Sequence, residues 1–379
     1  MRDYRLISAD THLEINPELW QDYIPAKYRP YGPQLVDNPG PGGGKAWKVE
    51  GGANLIPLGL NMCGGLRFDQ FRPSGWTYED NPRGTGDAKQ RLAEMDQDGV
   101  DAEVLYPGVF GPKLYTQISN REAQREIISA YNRFVNDFCA TAPDRFIGIG
   151  IVPETGVDDA VAELTRIADL KHLRGVFPSN WPSGKDHPTD EDDRFWAAVR
   201  ETGLPVSVHI NFGAGPMAHP LMLEGRPVPG GGVIGRMSVS CPPPAGTCSQ
   251  LIGLGILDRF PELQFVFAEA GAGWLAYWLE QMDDRYMRHR HYSGVQIKHL
   301  PSDYFRRQMA VSFQIDRAAL DNIDRIGVDN MMWANDFPHA EGDWPNSRRV
   351  VQEQFTAVPA AAREKILSGN AIRIYKLDA

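Results

Sequence analysis

The chain has 379 residues, 42% of them hydrophobic and 10% aromatic, enough to bury a large core. Its net charge of −10 argues against nucleic acid or an acidic membrane surface as partner. No stretch approaches the ~20 apolar residues of a membrane span, and the N-terminus, MRDYRLISAD, has no signal-peptide core. Four cysteines (Cys63, Cys139, Cys241, Cys248) lie far apart with no CxxC pair, as free thiols in a reducing compartment do. The expectation is a cytoplasmic protein that acts on a small molecule.

The first apolar run, Tyr4 to Ala9, ends in Asp10-Thr11-His12-Leu13-Glu14. Alternate side chains of an extended chain share a face, so Asp10 and His12 point together and Glu14 can join them. A strand end of this kind offers a cation two donors with no loop to order. The same residues would also serve as a turn cap and a satisfied polar side chain. Asn16-Pro17 reads as the N-cap and first residue of a short helix, PELWQDYI.

Residues 27–90 are dense in Gly and Pro and show no regular period, which suggests an irregular insertion over a binding site. It carries Trp47, Arg67, Phe68, Phe71, Arg72 and Trp76. Arg67 or Arg72 would suit a planar carboxylate and Trp76 an aromatic ligand; either arginine is equally explained as a solvated surface charge.

From Asp87 the period turns helical up to Gly99, and strands then alternate with helices. The strands are DAEVLYP, RFIGIGIVP, RGVFPSN, PVSVHI, LQFVFAEA, RQMAVSF and NMMWAND; the helices between them include residues 122–140, 157–170 and WLAYWLEQMDDRYMRHR. Such alternation implies right-handed βαβ units and a parallel sheet. About 250 residues suffice for an eight-stranded α/β barrel. The expected fold is therefore a (β/α)8 TIM barrel, one domain over 1–379, with long insertions at 27–90 and 211–248. Near the end, AAAREKILSGNAIRIYKL reads as an amphipathic helix broken at Gly369-Asn370.

Several apolar runs end in polar residues, where a barrel keeps its chemistry. Strand five ends in His209 and strand six in Glu269; strand eight opens into Asp336, Pro338, His339 and Glu341. Glu269 has four readings: general base, general acid, bridging ligand, or a charge at the next helix's N-terminus. His291 closes a helix, with the option of folding back to the mouth.

With these residues in place, the chain resembles the amidohydrolase-related family that includes aminocarboxymuconate-semialdehyde decarboxylase, a branch of the metal-dependent TIM-barrel hydrolases. The resemblance rests on DTHLEINPELW, AEAGAGWLAYWLEQMD, WANDFPHAEGDWPNS and ILSGNAIRIYKL, in that order along nearly the whole chain. It implies a metal held by Asp10, His12, His209 and Asp336, and a homodimer. The chain departs from it in two places. Familiar decarboxylases have His-x-His or Glu-x-His on strand one, and a catalytic His where Glu269 stands here.

The wider donor set, which adds Glu269 and Glu14, suits zinc, manganese or iron, as one ion or two. The leading expectation is a hydrolase or decarboxylase acting on a small hydrophobic or aromatic carboxylate, with Glu269, Asp336 and His339 as catalytic groups. Arg67, Arg72, Trp76, His291 and Glu341 would bind substrate. A non-haem di-iron oxygenase is the alternative, and a catalytically dead binding protein the third.

Overall fold

The computed structural model describes residues 3–16, 19–52, 54–210, 212, 222–223, 226–227 and 243–377. Strand β1 (Ile7–Leu13) is followed by a small sheet of β2 (Gln34–Asp37), β3 (Lys45–Lys48) and β4 (Ile56–Pro57). The main sheet continues through β5 (Ala102–Pro107), β6 (Phe146–Ile151), β7 (Leu173–Phe177) and β8 (Val206–His209). After a short antiparallel pair, β9 (Met222–Leu223) and β10 (Arg226–Pro227), it ends in β11 (Phe265–Ala268), β12 (Met309–Phe313) and β13 (Met331–Trp333).

The eight main strands run in the order β1-β5-β6-β7-β8-β11-β12-β13, every pair parallel and a helix in most of the gaps. Their residues are almost all buried, which is why they read as unbroken apolar runs. The cylinder closes just beyond β13. There Asp336 N–H donates to Asp10 O (3.0 Å) and His12 N–H to Phe337 O (2.9 Å). This is a TIM barrel.

The local predictions fare unevenly. Asp87 caps the helix Ala88–Asp98, and Gly99 ends it at φ 74°. The first strand runs through Asp10 and His12 as expected, with a register shift after Ser8 that lets Thr11 and His12 pair with Leu105 and Tyr106. Of PELWQDYI, residues 17 and 18 lie outside the described ones, and Gln21–Tyr23 form only a 3-10 turn. Residues 27–90 are mostly loop and turn, as expected, but among the described residues they also hold the small sheet β2–β3–β4. Gly40–Gly44 turn the β2–β3 hairpin, and Trp47 on β3 donates to Tyr78 Oη at 2.9 Å. The strands are too short for their period to show through the Gly and Pro around them.

Most of 211–242 lies outside the described residues, whereas Pro243–Gly253 is a helix rather than loop. Gly369-Asn370 does not break the final helix. The chain stays helical through a π-turn at Lys365–Gly369, and Asn370 Nδ2 donates to Val328 O and Met331 O, both at 2.8 Å, which ties that helix to β13. Cys63 and Cys139 are free thiols; Cys241 lies outside the described residues. Among the described residues no helix is long and apolar enough to cross a membrane.

One buried ion pair braces the closure. Arg91, on the helix after the insertion, donates to Glu103 of β5 at 2.7 Å, to His12 O at 3.0 Å and to Phe337 O at 3.4 Å. Arg91→Met should strand the Glu103 carboxylate in the core and cost about 3–5 kcal/mol, seen as a lower urea midpoint. Arg91→Met with Glu103→Met should recover part of that loss. A single variant as stable as the parent would show the pair to be dispensable.

Candidate active site

The closure bonds bring three side chains to one point. Asp10 and His12, two residues apart on β1, share its inner face, and Asp336 is held beside them by its backbone bond to Asp10. His12 Nε2 lies 3.1 Å from Asp336 Oδ1 and 3.6 Å from Asp10 Oδ1. His209, last in β8, pairs in register with Ala268, so Glu269 stands one step above it. His209 Nε2 is 3.8 Å from Asp10 Oδ1 and 3.6 Å from Glu269 Oε2.

Six buried donor atoms here have no hydrogen-bond partner among the described residues. They are both oxygens of Asp10, both of Asp336, and Nε2 of His12 and of His209. An unpaired buried polar atom is costly, and an unpaired buried charge more so. Donors about 2.1 Å from a shared tetrahedral ion sit roughly 3.4 Å apart, close to the 3.1–3.8 Å seen here. The residues fit a divalent cation. Burial, then the charges of Asp336 and Glu269, holds the Asp10 carboxyl well above the usual range, against the pull of His12. Burial, with Glu341 and Glu14, does the same to Asp336.

Glu269 and Asp336 both adopt left-handed backbone conformations, φ 54° and 51°. Strain of this kind in residues other than glycine concentrates where function holds it in place. The polar layer behind Asp336 is fully bonded. Asn335 bridges Ser8 and Asp98, and Asp98 accepts from Ser347 N at 2.8 Å and Ser347 Oγ at 2.6 Å.

Glu14 departs from its expected place among the ligands. Its carboxylate accepts from Val109 N–H at 2.9 Å and Asn61 Nδ2 at 3.1 Å, and lies 2.8 Å from His339 Nε2. A Cβ on Gly108 would come within 2.5 Å of Glu14 Oε1, so a residue with no side chain makes room for it. Glu14 thus orients His339, whose ring stacks on His12 with centroids 3.9 Å apart and whose Nδ1 turns to Asp336 Oδ1 at 3.7 Å. A carboxylate bonded to one ring nitrogen of a histidine fixes the ring's orientation and tautomer in this way. His12 is set by the same device, with Nδ1 3.1 Å from Pro107 O.

Several expected substrate contacts are not brought to this cluster. Arg67 is exposed and paired with Asp69, two residues away, at 2.7 Å. Exposed Arg72 stacks 3.9 Å over Trp76, which is buried with its indole N–H on Arg72 O. His291 is exposed near the far end of the helix Leu275–Ser293, which starts at the mouth and runs roughly 28 Å away from it. Glu341, by contrast, does face the cluster, its carboxylate grouped with those of Glu269 and Asp336.

Sequence reasoning missed Lys113, on the short helix Pro112–Tyr115 after β5. Its ammonium is exposed, has no ion pair among the described residues, and is near enough to act on His209, Glu269 and His339. Tyr106 and Phe177, whose rings pack against His209, were also missed. They lie inside apolar runs that give no sign of which way a side chain points.

His12→Ala and His209→Ala should each purify folded but with little bound divalent metal by elemental analysis; full metal content in either would remove that residue from the ligand set. A second test uses pH. Burial lifts Glu14 and Glu269 from 4.5 to about 7 in the metal-free protein. A raised acid favours folding while protonated, so its contribution is lost as pH climbs through about 7. Burial holds His209 and His339 below 6.5, which opposes this only in the acid range. The melting temperature of chelator-stripped protein should therefore fall between about pH 6.5 and 8 and recover on adding Mn2+. A flat or rising profile would contradict the assignment.

With the geometry in hand, comparison with known proteins gives a consistent answer. A gamma-resorcylate decarboxylase from Rhizobium sp. (strain MTP-10005) is 25% identical over 303 residues, covering 76% of this chain and 86% of that one. The crystal structure of an amidohydrolase from Mycobacterium avium subsp. paratuberculosis K-10 matches with a TM-score of 0.72 at 17% identity, over 99% of this chain and 100% of the other. That of a dihydroxybenzoic acid decarboxylase from Polaromonas sp. JS666, with bound manganese and the inhibitor 2-nitroresorcinol, matches at 0.64 and 18% identity over 99% and 98%. The two structural likenesses establish the fold. The amidohydrolase family model matches residues 9–377, and the chain belongs to that family.

Proposed function

We propose that this protein is a divalent-metal-dependent decarboxylase, a lyase that releases CO2 from a small aromatic hydroxycarboxylate. The observation that carries the reading is the set of six unpaired donor atoms on Asp10, His12, His209 and Asp336, with the Glu269 carboxyl directly beside them. The names of the Rhizobium and Polaromonas relatives support the substrate class, and the manganese in the latter supports manganese as the metal.

A cation held by those four residues supplies positive charge that neutralises and orients a bound carboxylate. Removing CO2 from an aromatic ring leaves the bonding pair on the ring carbon, which must take up a proton. Glu269 is the group placed to give it. Burial, the largest cause, and the Asp336 charge lift its carboxyl to about 7 in the metal-free protein, which favours the protonated form. The carboxyl gives its proton to the ring carbon, the ring–carboxylate bond breaks, CO2 departs, and Glu269 regains a proton from water at the mouth.

Tyr106 and Phe177 supply apolar wall beside His209, and Lys113 supplies the free cation that Arg67 and Arg72 do not. A binding protein would have no use for six stranded buried donors.

The test is a panel of hydroxybenzoates incubated with Mn2+-loaded protein, with CO2 and the decarboxylated phenol measured. Release from at least one is expected, and Glu269→Gln should lower kcat by roughly 10²-fold or more with metal content intact. Hydrolysis of an ester, amide or lactone panel with no CO2 from any acid would overturn the reading.

A further inference from the structure

Glu269 is the first residue beyond β11, and the turn it opens is held at both ends by side chains that follow β12 or lie on it. The β11–β12 ladder pairs Phe265 with Met309 and continues to Phe267 with Val311. Two residues on, Glu269 N–H donates to a side chain, Oγ of fully buried Ser312, at 3.0 Å. The Asp10 carboxylate also lies near this N–H, but an ion held by Asp10 would claim it. The chain then turns left-handed at Glu269, φ 54°, a conformation that a residue with a side chain keeps only where its surroundings impose it.

The far end of the turn is held by Asp316, just beyond β12. Its Oδ1 caps the four-residue helix Arg317–Leu320 by accepting from Ala319 N–H at 2.9 Å, and the cap needs no more than that. Its Oδ2 accepts from both Ala272 and Gly273 N–H at 2.7 Å, just ahead of the helix Leu275–Ser293. A Cβ on Gly273 would come within 2.6 Å of Asp316 Oδ1, so this approach requires glycine. Trp274 closes the turn on itself, its indole N–H shared between Ala270 O at 3.0 Å and Gly271 O at 3.2 Å. The negative charge that the start of this helix attracts is therefore Asp316. Glu269, the other candidate for that place, is left to face His209 Nε2 at 3.6 Å.

We propose that Ser312 and Asp316 are positioning residues for Glu269: they fix the turn after β11 at its two ends, aim the Glu269 carboxyl into the metal cluster, and through that aim set the rate of proton transfer. Neither has a reacting atom to touch. A group misplaced by about 1 Å can cost 10²-fold in rate, and a buried N–H deprived of its acceptor supplies the force that would shift the turn. The kinetic half rests on the decarboxylase reading above; the aim of the carboxyl does not.

The experiment compares Ser312→Ala, Asp316→Asn and Asp316→Ala with the parent as Mn2+-loaded full-length protein, in crystals and in turnover. In Ser312→Ala the Glu269 carboxyl should move away from His209 with metal content unchanged, and kcat should fall about 10-fold or more with KM held within about 2-fold. Asp316→Ala should act likewise. Asp316→Asn, whose amide oxygen can still accept from Ala272 and Gly273, should recover most of that loss. In a Glu269→Gln background Ser312→Ala should lower kcat no further, because residues that act through one group are not additive. The same loss in that background would show a merely structural role and overturn the proposal. So would a Glu269 carboxyl that stays in its parental place in crystals of Ser312→Ala. If Asp316→Ala fails to fold, Ser312→Ala, which removes one oxygen, decides alone. Turnover of no hydroxybenzoate by the parent would remove the proposed function and its kinetic half here, and leave the Ser312→Ala crystals to decide the positioning role.

Discussion

Two backbone hydrogen bonds at the barrel seam decide where the chemistry lies. Asp336 N–H to Asp10 O and His12 N–H to Phe337 O stitch the chain beyond β13 to β1, and they do so at the residues that carry the donors. A parallel barrel has to close somewhere, and here closure and site are one feature. Residues over three hundred positions apart become neighbours because the sheet order returns to its first strand. His209 and Glu269 join them by simple register on the adjacent pair β8 and β11.

The seam also concentrates groups that a folded chain would otherwise avoid. Buried carboxylates crowd together without hydrogen-bond donors, and burial first, then that crowding, makes them weaker acids than usual. Removal of one partner from a buried charged set is costly because the other is left behind, so the surroundings are built with every bond made. Arg91 with Glu103, Asp98 with Ser347 and Asn335, and Glu14 with Val109, Asn61 and His339 form a satisfied frame around an unsatisfied centre. The frame is rigid in the way a metal centre needs. It fixes which ring nitrogen of His12 and His339 faces inward and leaves Nε2 of His12 unpaired.

Much of the fold was legible because both faces of a barrel strand are buried. FIGIGI and LQFVFA admit few other readings once helices with 3.6-residue apolar spacing separate them. Asp10, His12, His209, Glu269 and Asp336 were legible for a related reason: each interrupts or ends an apolar run, and a polar residue there has little to do but face the rim. What stayed hidden depends on partners distant in sequence. Glu14 looks like a third ligand in Asp-x-His-x-Glu, yet the chain leaves the strand at Leu13 and its carboxylate meets Val109, Asn61 and His339 instead. Arg67 and Arg72 carry the right chemistry for a carboxylate, but Asp69 and Trp76 lie closer in sequence and claim them. Lys113 sits on a four-residue helix, too short for a period to announce it. The helical run across Gly369-Asn370 survives because Asn370 finds two carbonyls that no sequence pattern records.

The central claim is geometric: Asp10, His12, His209 and Asp336 close on one cation at the rim of the barrel. Anomalous diffraction at the manganese edge, from crystals grown with Mn2+, tests it directly. The account predicts a peak within about 2.0–2.3 Å of a donor atom from each of the four residues. A peak bound elsewhere on the chain, with these four side chains turned to other partners, would contradict it.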